Sequence, residues 1–198
     1  MTTQIRTADM TTESYAEYIN QNFDAVRYAS LVSSLGNQLN DRKDRFDKSD
    51  IIEQSFEVYS DNKFQWVDDI GRDHRDNVNG FDLEFKYMQN GLFTAKGNPK
   101  KVITVKVKNS LGVHKGTHID NPADFYVLAQ QDAMAIMSFA ELEPYLVAVP
   151  DGIEAKIPFD ALTFVFEPTD VANDIALNEQ INYKQIKAEA QRKLINSF

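Results

Sequence analysis

Near the start of the chain apolar residues recur at helical spacing, and through the middle they alternate with polar ones or form short runs, so helices are expected first and strands after. Tyr15, Ile19, Phe23, Val26, Leu31 and Leu35 predict one amphipathic helix over about 12–35, with Ser14 and Glu17 as a capping box and Gly36 as its end. The first ten residues carry no periodicity and are expected to fray. After a polar, charge-mixed connection over 37–48, a second helix starts at Ser49 or Asp50 and buries Ile51, Ile52, Phe56 and Tyr59. Strands are expected at 64–67, with Trp66 in the core, and at 81–88, 102–108, 125–129, 133–139, 153–157 and 162–166. Turn chemistry marks 68–80, where four aspartates precede Asn77-Val78-Asn79-Gly80. A short helix or turn over 141–146 and a closing helix over 178–196 complete the pattern, with Pro168 read as a stop. The class is α/β (α+β), in one domain of 198 residues.

Alternation on the strand Phe81 to Met88 puts Phe81, Leu83, Phe85 and Tyr87 on one face and Asp82, Glu84 and Lys86 on the other. On the strand over 102–108, Val102, Thr104, Lys106 and Lys108 alternate with Ile103, Val105 and Val107. If the two strands pair, both show a charged face on the same side of the sheet.

Charge changes this picture more than composition does. The formal net charge of −9 argues against non-specific affinity for nucleic acid, but the sign is unevenly spread. Residues 1–84 hold nine basic and seventeen acidic side chains, a balance of −8; residues 85–119 hold seven lysines and no acid; residues 120–198 hold five basic and thirteen acidic, again −8. A basic stripe on an acidic body steers a polyanion to one place. The chain has no cysteine, which excludes disulfides and thiolate metal sites and suits a reducing cytoplasm. No run of roughly eighteen apolar residues is present, so no membrane span is expected.

Phosphodiester hydrolysis needs a metal to offset developing charge and a group to orient or deprotonate the attacking water. Two neighbouring carboxylates suit Mg2+, and a lysine beside them can serve the water and the negatively charged transition state. Glu84 and Lys86 share a strand face, and Asp73 or Asp76 can reach them across a short turn. Glu53 is either a solvated helix carboxylate or an auxiliary contact to metal or water. There is no Gly-x-Ser-x-Gly elbow, phosphate loop or dinucleotide fingerprint, and His74, His114 and His118 form no spaced zinc motif and suit loop positions.

An aspartate, a spacer and Glu-x-Lys in an αβ core resembles the PD-(D/E)xK nuclease superfamily, and GRDHRDNVNGFDLEFK is similar to the active-site stretch of small type II restriction endonucleases. The usual proline before the first aspartate is absent, as is an obvious helix after the lysine strand. The resemblance implies a restriction-endonuclease-like core, a central mixed sheet flanked by helices, with a helical segment 1–48, a catalytic core 49–170 and a C-terminal helix 171–198. It implies Asp73 and Glu84 as Mg2+ ligands and Lys86 as the catalytic lysine. A second register takes Asp82 as first aspartate and ligand, with Lys106 and Lys108 on the second motif strand and Glu84 shared. Gly116-Thr-His-Ile-Asp-Asn-Pro122 resembles a base-reading loop, making His118 and His114 candidates for DNA contact alongside Lys100, Lys101 and Lys115. The implied activity is sequence-specific cleavage of double-stranded DNA by a homodimer, for which the N-terminal and C-terminal helices are the available apolar stripes. The alternative is a non-catalytic module that binds nucleic acid or protein through the basic hairpin 96–108.

Overall fold

The computed structural model describes residues 10–36, 44–69, 72–109, 122–150 and 152–176. The helix expected over 12–35 is two helices. In α1 (Thr12–Gln21) the Thr11 side chain, rather than Ser14, provides the cap by accepting from Ser14 N, and the helix closes at Asn22. Asp24 then caps α2 (Ala25–Gly36), accepting from Arg27 N at 3.0 Å. The break has a local cause: the Asp24 N–H donates to Tyr59 O at 2.9 Å rather than to a helical carbonyl, and aspartate serves better as a cap than inside a helix. α3 (Asp44–Val58) begins earlier than expected, and it buries Ile52 and Phe56 while Ile51 stays exposed.

Among the described residues nine strands follow: β1 (Phe64–Asp69), β2 (Arg72–Asp76), β3 (Asp82–Tyr87), β4 (Val102–Asn109), β5 (Phe125–Gln130), β6 (Ala133–Ser138), β7 (Leu146–Val149), β8 (Gly152–Pro158) and β9 (Thr163–Phe166). A short α4 (Phe139–Leu142) sits between β6 and β7, and α5 spans residues 168–176. Pro168 therefore opens a helix instead of stopping a strand, which its missing N–H permits at a first helical position. β2 occupies the stretch read as turn. Its polar sequence disguises it because His74 and Asp76 face the core, His74 Nε2 bonded to Glu53 O and Asp76 to the Tyr15 hydroxyl.

The strands form two sheets, a six-stranded mixed one in the order β1-β2-β3-β5-β6-β9 and a three-stranded antiparallel one in the order β4-β8-β7. β1, β2 and β3 make an antiparallel meander, and β3 then pairs in parallel with β5. Parallel neighbours need a long crossover, and the chain between β3 and β5 provides it by carrying β4 out to the second sheet. The condition set on the 81–88 and 102–108 strands, that they pair, is thus not met; β4 pairs with β8.

Helices α1 to α3 cover one face of the large sheet, burying Tyr15, Ile19, Tyr28, Val32, Ile52 and Phe56 against Leu83, Phe85, Phe125, Val127 and Ile136. The N-terminal apolar stripe considered for a dimer is used up in this core. On the other face the small sheet lays Ile103, Val105, Ala155 and Ile157 over Tyr126, Leu128, Ala133, Ala135 and Met137. β5 is consequently buried on both sides, which explains its unbroken apolar run.

Candidate active site

The β2–β3 turn is built by one buried carboxylate. Asp76 Oδ1 accepts from Val78 N at 2.8 Å and Asn79 N at 3.0 Å, while Oδ2 accepts from Asn79 Nδ2 at 2.9 Å and the Tyr15 hydroxyl at 3.0 Å. Gly80, at φ 77°, completes the turn in a conformation that glycine adopts without strain. The turn fixes the register His74↔Leu83 and Arg75↔Asp82. His74 and Leu83 face the helices, so Asp73 and Arg75 emerge on the opposite face with Asp82, Glu84 and Lys86.

Asp73 and Glu84 meet there. Asp73 Oδ2 accepts from the backbone N–H of Phe85 at 2.7 Å, in the peptide group that joins Glu84 to Phe85. Glu84 is buried, and its Oε1 forms an ion pair with Lys86 Nζ, whose side chain reaches the surface. Burial works against the Lys86 ammonium, but the Glu84 and Asp73 carboxylates, with a contribution from Glu53, outweigh it and hold the group above its ordinary range. Lys86 is therefore a cation at neutral pH, suited to meet a phosphate oxygen before it serves as any kind of base. Tyr126, on the strand beside Glu84, has its phenol pushed up by burial first and then by the Glu84 and Asp73 charges.

Set against known protein families, curated proteins and solved structures, the chain matches none. The assignment of the site therefore stands on its geometry alone.

Of the residues singled out from sequence, the structure brings together Asp73, Glu84 and Lys86, with the charge of Glu53 acting on Lys86 from α3. It does not assemble the second register. Asp82 is engaged by Arg72 at 2.9 Å and Arg75 at 3.9 Å. Lys106 lies exposed on the outer face of the other sheet, and Lys108 lies on that same strand opposite Ile153. Asp76, the other first-aspartate candidate, faces the helices. Lys96 and Lys101 are exposed and Lys100 is half-buried. His114, Lys115, His118 and the closing helix over 178–196 lie outside the described residues.

His74 is not a loop residue. Its Nε2 donates to the Glu53 carbonyl at 2.9 Å, tying β2 to α3, while Nδ1 is buried with no hydrogen-bond partner among the described residues. Burial, only partly offset by the bond to Glu53, lowers its pKa from 6.5 to about 4, so the ring is neutral. Tyr126 was also not singled out; its place beside Glu84 depends on a parallel register that nothing in the run Phe125 to Ala129 announces.

Among the described residues no three His, Cys, Asp or Glu side chains are arranged to hold a metal ion. Asp73 and Glu84 nevertheless fit Mg2+, which commonly binds through one or two carboxylates and completes its shell with water and substrate phosphate. No described helix is long and apolar enough to cross a membrane.

Proposed function

We propose that the chain is a Mg2+-dependent endonuclease that cuts double-stranded DNA at specific sequences, in the manner of a restriction enzyme. The observation that carries this is the bond from Phe85 N–H to Asp73, which sets one carboxylate on the peptide that follows the second carboxylate, Glu84, one residue before its lysine. Asp73 and Glu84 would hold the metal, whose chemistry is to offset charge on the phosphate and acidify a bound water. Lys86 contributes the cation that stabilises the pentacovalent phosphate, and the exposed Lys96, Lys101 and Lys106 of the acid-free segment steer DNA toward the protein. Cleavage of both strands at a symmetric site calls for two copies related by a two-fold axis, and a cytoplasmic location accompanies the DNA substrate.

Exposure of Lys96, Lys101 and Lys106 favours a second reading, a binding module without catalysis. Incubating the purified chain with mixed-sequence plasmid and Mg2+ separates the two. Discrete fragments are expected, whereas a mobility shift with intact plasmid would replace cleavage by binding alone.

A further inference from the structure

We propose that Tyr126 is a positioning residue for Glu84, its phenol O–H being the donor that orients the carboxylate for a divalent cation; the proposal rests on the nuclease function inferred above. In the parallel pairing of β3 with β5, Glu84 and Tyr126 are direct partners, so their side chains leave the sheet next to each other on one face. Both are buried, Tyr126 at 0% and Glu84 at 1% exposure. The Tyr126 ring packs against Phe139, with ring centroids 6.2 Å apart, and within the apolar cluster under the small sheet. It cannot turn its hydroxyl toward solvent without vacating that packing.

Phenylalanine would fill this space as well, so what tyrosine adds is one hydroxyl at the border between an apolar cluster and two carboxylates. A hydroxyl there is costly unless it is engaged. The site also calls for such a donor. Glu84 Oε1 is paired with Lys86, and if Lys86 turns to a phosphate during the reaction, a buried carboxylate loses its neutralising partner. A fixed O–H on the adjacent strand keeps Glu84 in place through that exchange, as groups behind metal-binding side chains commonly do.

The test uses the full chain with Tyr126→Phe, which keeps the ring and removes only the hydroxyl. Mg2+ is titrated into the wild-type and variant proteins by calorimetry, and plasmid cleavage is measured over the same range of Mg2+. The variant is expected to bind Mg2+ roughly tenfold more weakly and to need about tenfold more Mg2+ for half-maximal cleavage, with the rate at saturating Mg2+ within about twofold of wild type. Its thermal midpoint should fall by no more than a few degrees, because the packing is unchanged and one hydrogen bond is lost. Equal Mg2+ affinity in the two proteins would overturn the role of Tyr126 and leave the nuclease function standing, as would a fall in the saturated rate without a change in affinity. A wild-type chain that neither binds Mg2+ nor cuts DNA would overturn both.

Discussion

Asp73 and Asp76 are the same residue type on the same strand, three positions apart, and the fold gives them opposite tasks. Asp76 faces the helices at 0% exposure and accepts four hydrogen bonds from the turn and from Tyr15, so its lone pairs are committed to holding the chain. Asp73 faces the other way, and its bond from Phe85 N–H places it beside the Glu84–Lys86 pair near the surface. A carboxylate saturated by its own backbone is architecture. One set beside a second carboxylate and a lysine has chemistry open to it, and an odd offset along a strand is enough to separate the two.

The largest expected effect breaks the catalytic half of this comparison. Asp73→Asn and Glu84→Gln should each lower plasmid cleavage by roughly a thousandfold, while far-ultraviolet dichroism stays near wild type and only Glu84→Gln, which breaks the pair with Lys86, lowers the thermal midpoint. Asn can still accept from Phe85 N–H, so the strand pairing survives. Cleavage at wild-type rate by either variant would remove the proposed site. Asp76→Ala should do the converse. It strips the acceptor from two amides, an asparagine and a buried tyrosine, and should cost about 4 kcal/mol in denaturant unfolding. The molecules that remain folded should cut at the normal rate.

Next in size is the contribution of His74, which shares the helix-facing side with Asp76. Its folded pKa of about 4 lies below the unfolded 6.5, so between these values the unfolded chain takes up a proton that the buried ring refuses. The stability it supports is complete above about pH 6.5 and is lost as pH falls through 4, amounting to about 3 kcal/mol. Denaturant unfolding at pH 7 and pH 4.5 measures it, with His74→Gln as the reference that should lack this part of the slope. Identical slopes would mean that the ring is charged or solvated in the native state.

How much of this was legible without coordinates follows from the same contrast. The amphipathic faces of α1 and α2, the strands β3 to β6 and the shared face of Glu84 and Lys86 are local periodicities, which a chain displays openly. β2 was hidden because its inward residues are His74 and Asp76, polar groups whose burial depends on partners distant in sequence, Glu53 and Tyr15. The sequence leaves open whether β3 and β4 pair, for a related reason. Alternation predicts faces but not neighbours, and the parallel partner of β3 is more than thirty-five residues further along the chain. Asp73 could be proposed from spacing, but preferring it to Asp76 or Asp82 required knowing which way each points and what holds it.

Asp82 sharpens the comparison with the smallest expected effect. It lies on the same strand face as Glu84, so facing alone would make it a third candidate carboxylate. What separates it from Asp73 is its partners: Arg72 at 2.9 Å and Arg75 at 3.9 Å hold its side chain, whereas Lys86 pairs with Glu84. Both arginines are partly exposed, so solvent screens these bridges and their net contribution is small. Asp82→Asn should therefore cost no more than about 1 kcal/mol and leave cleavage within a few-fold of wild type, against the roughly thousandfold loss for Asp73→Asn. Measuring both rates on one plasmid at saturating Mg2+ decides it. If Asp82→Asn were the silent enzyme and Asp73→Asn the active one, the first aspartate of the site would lie on β3 itself, and the bond from Asp73 to Phe85 would be strand architecture like that of Asp76.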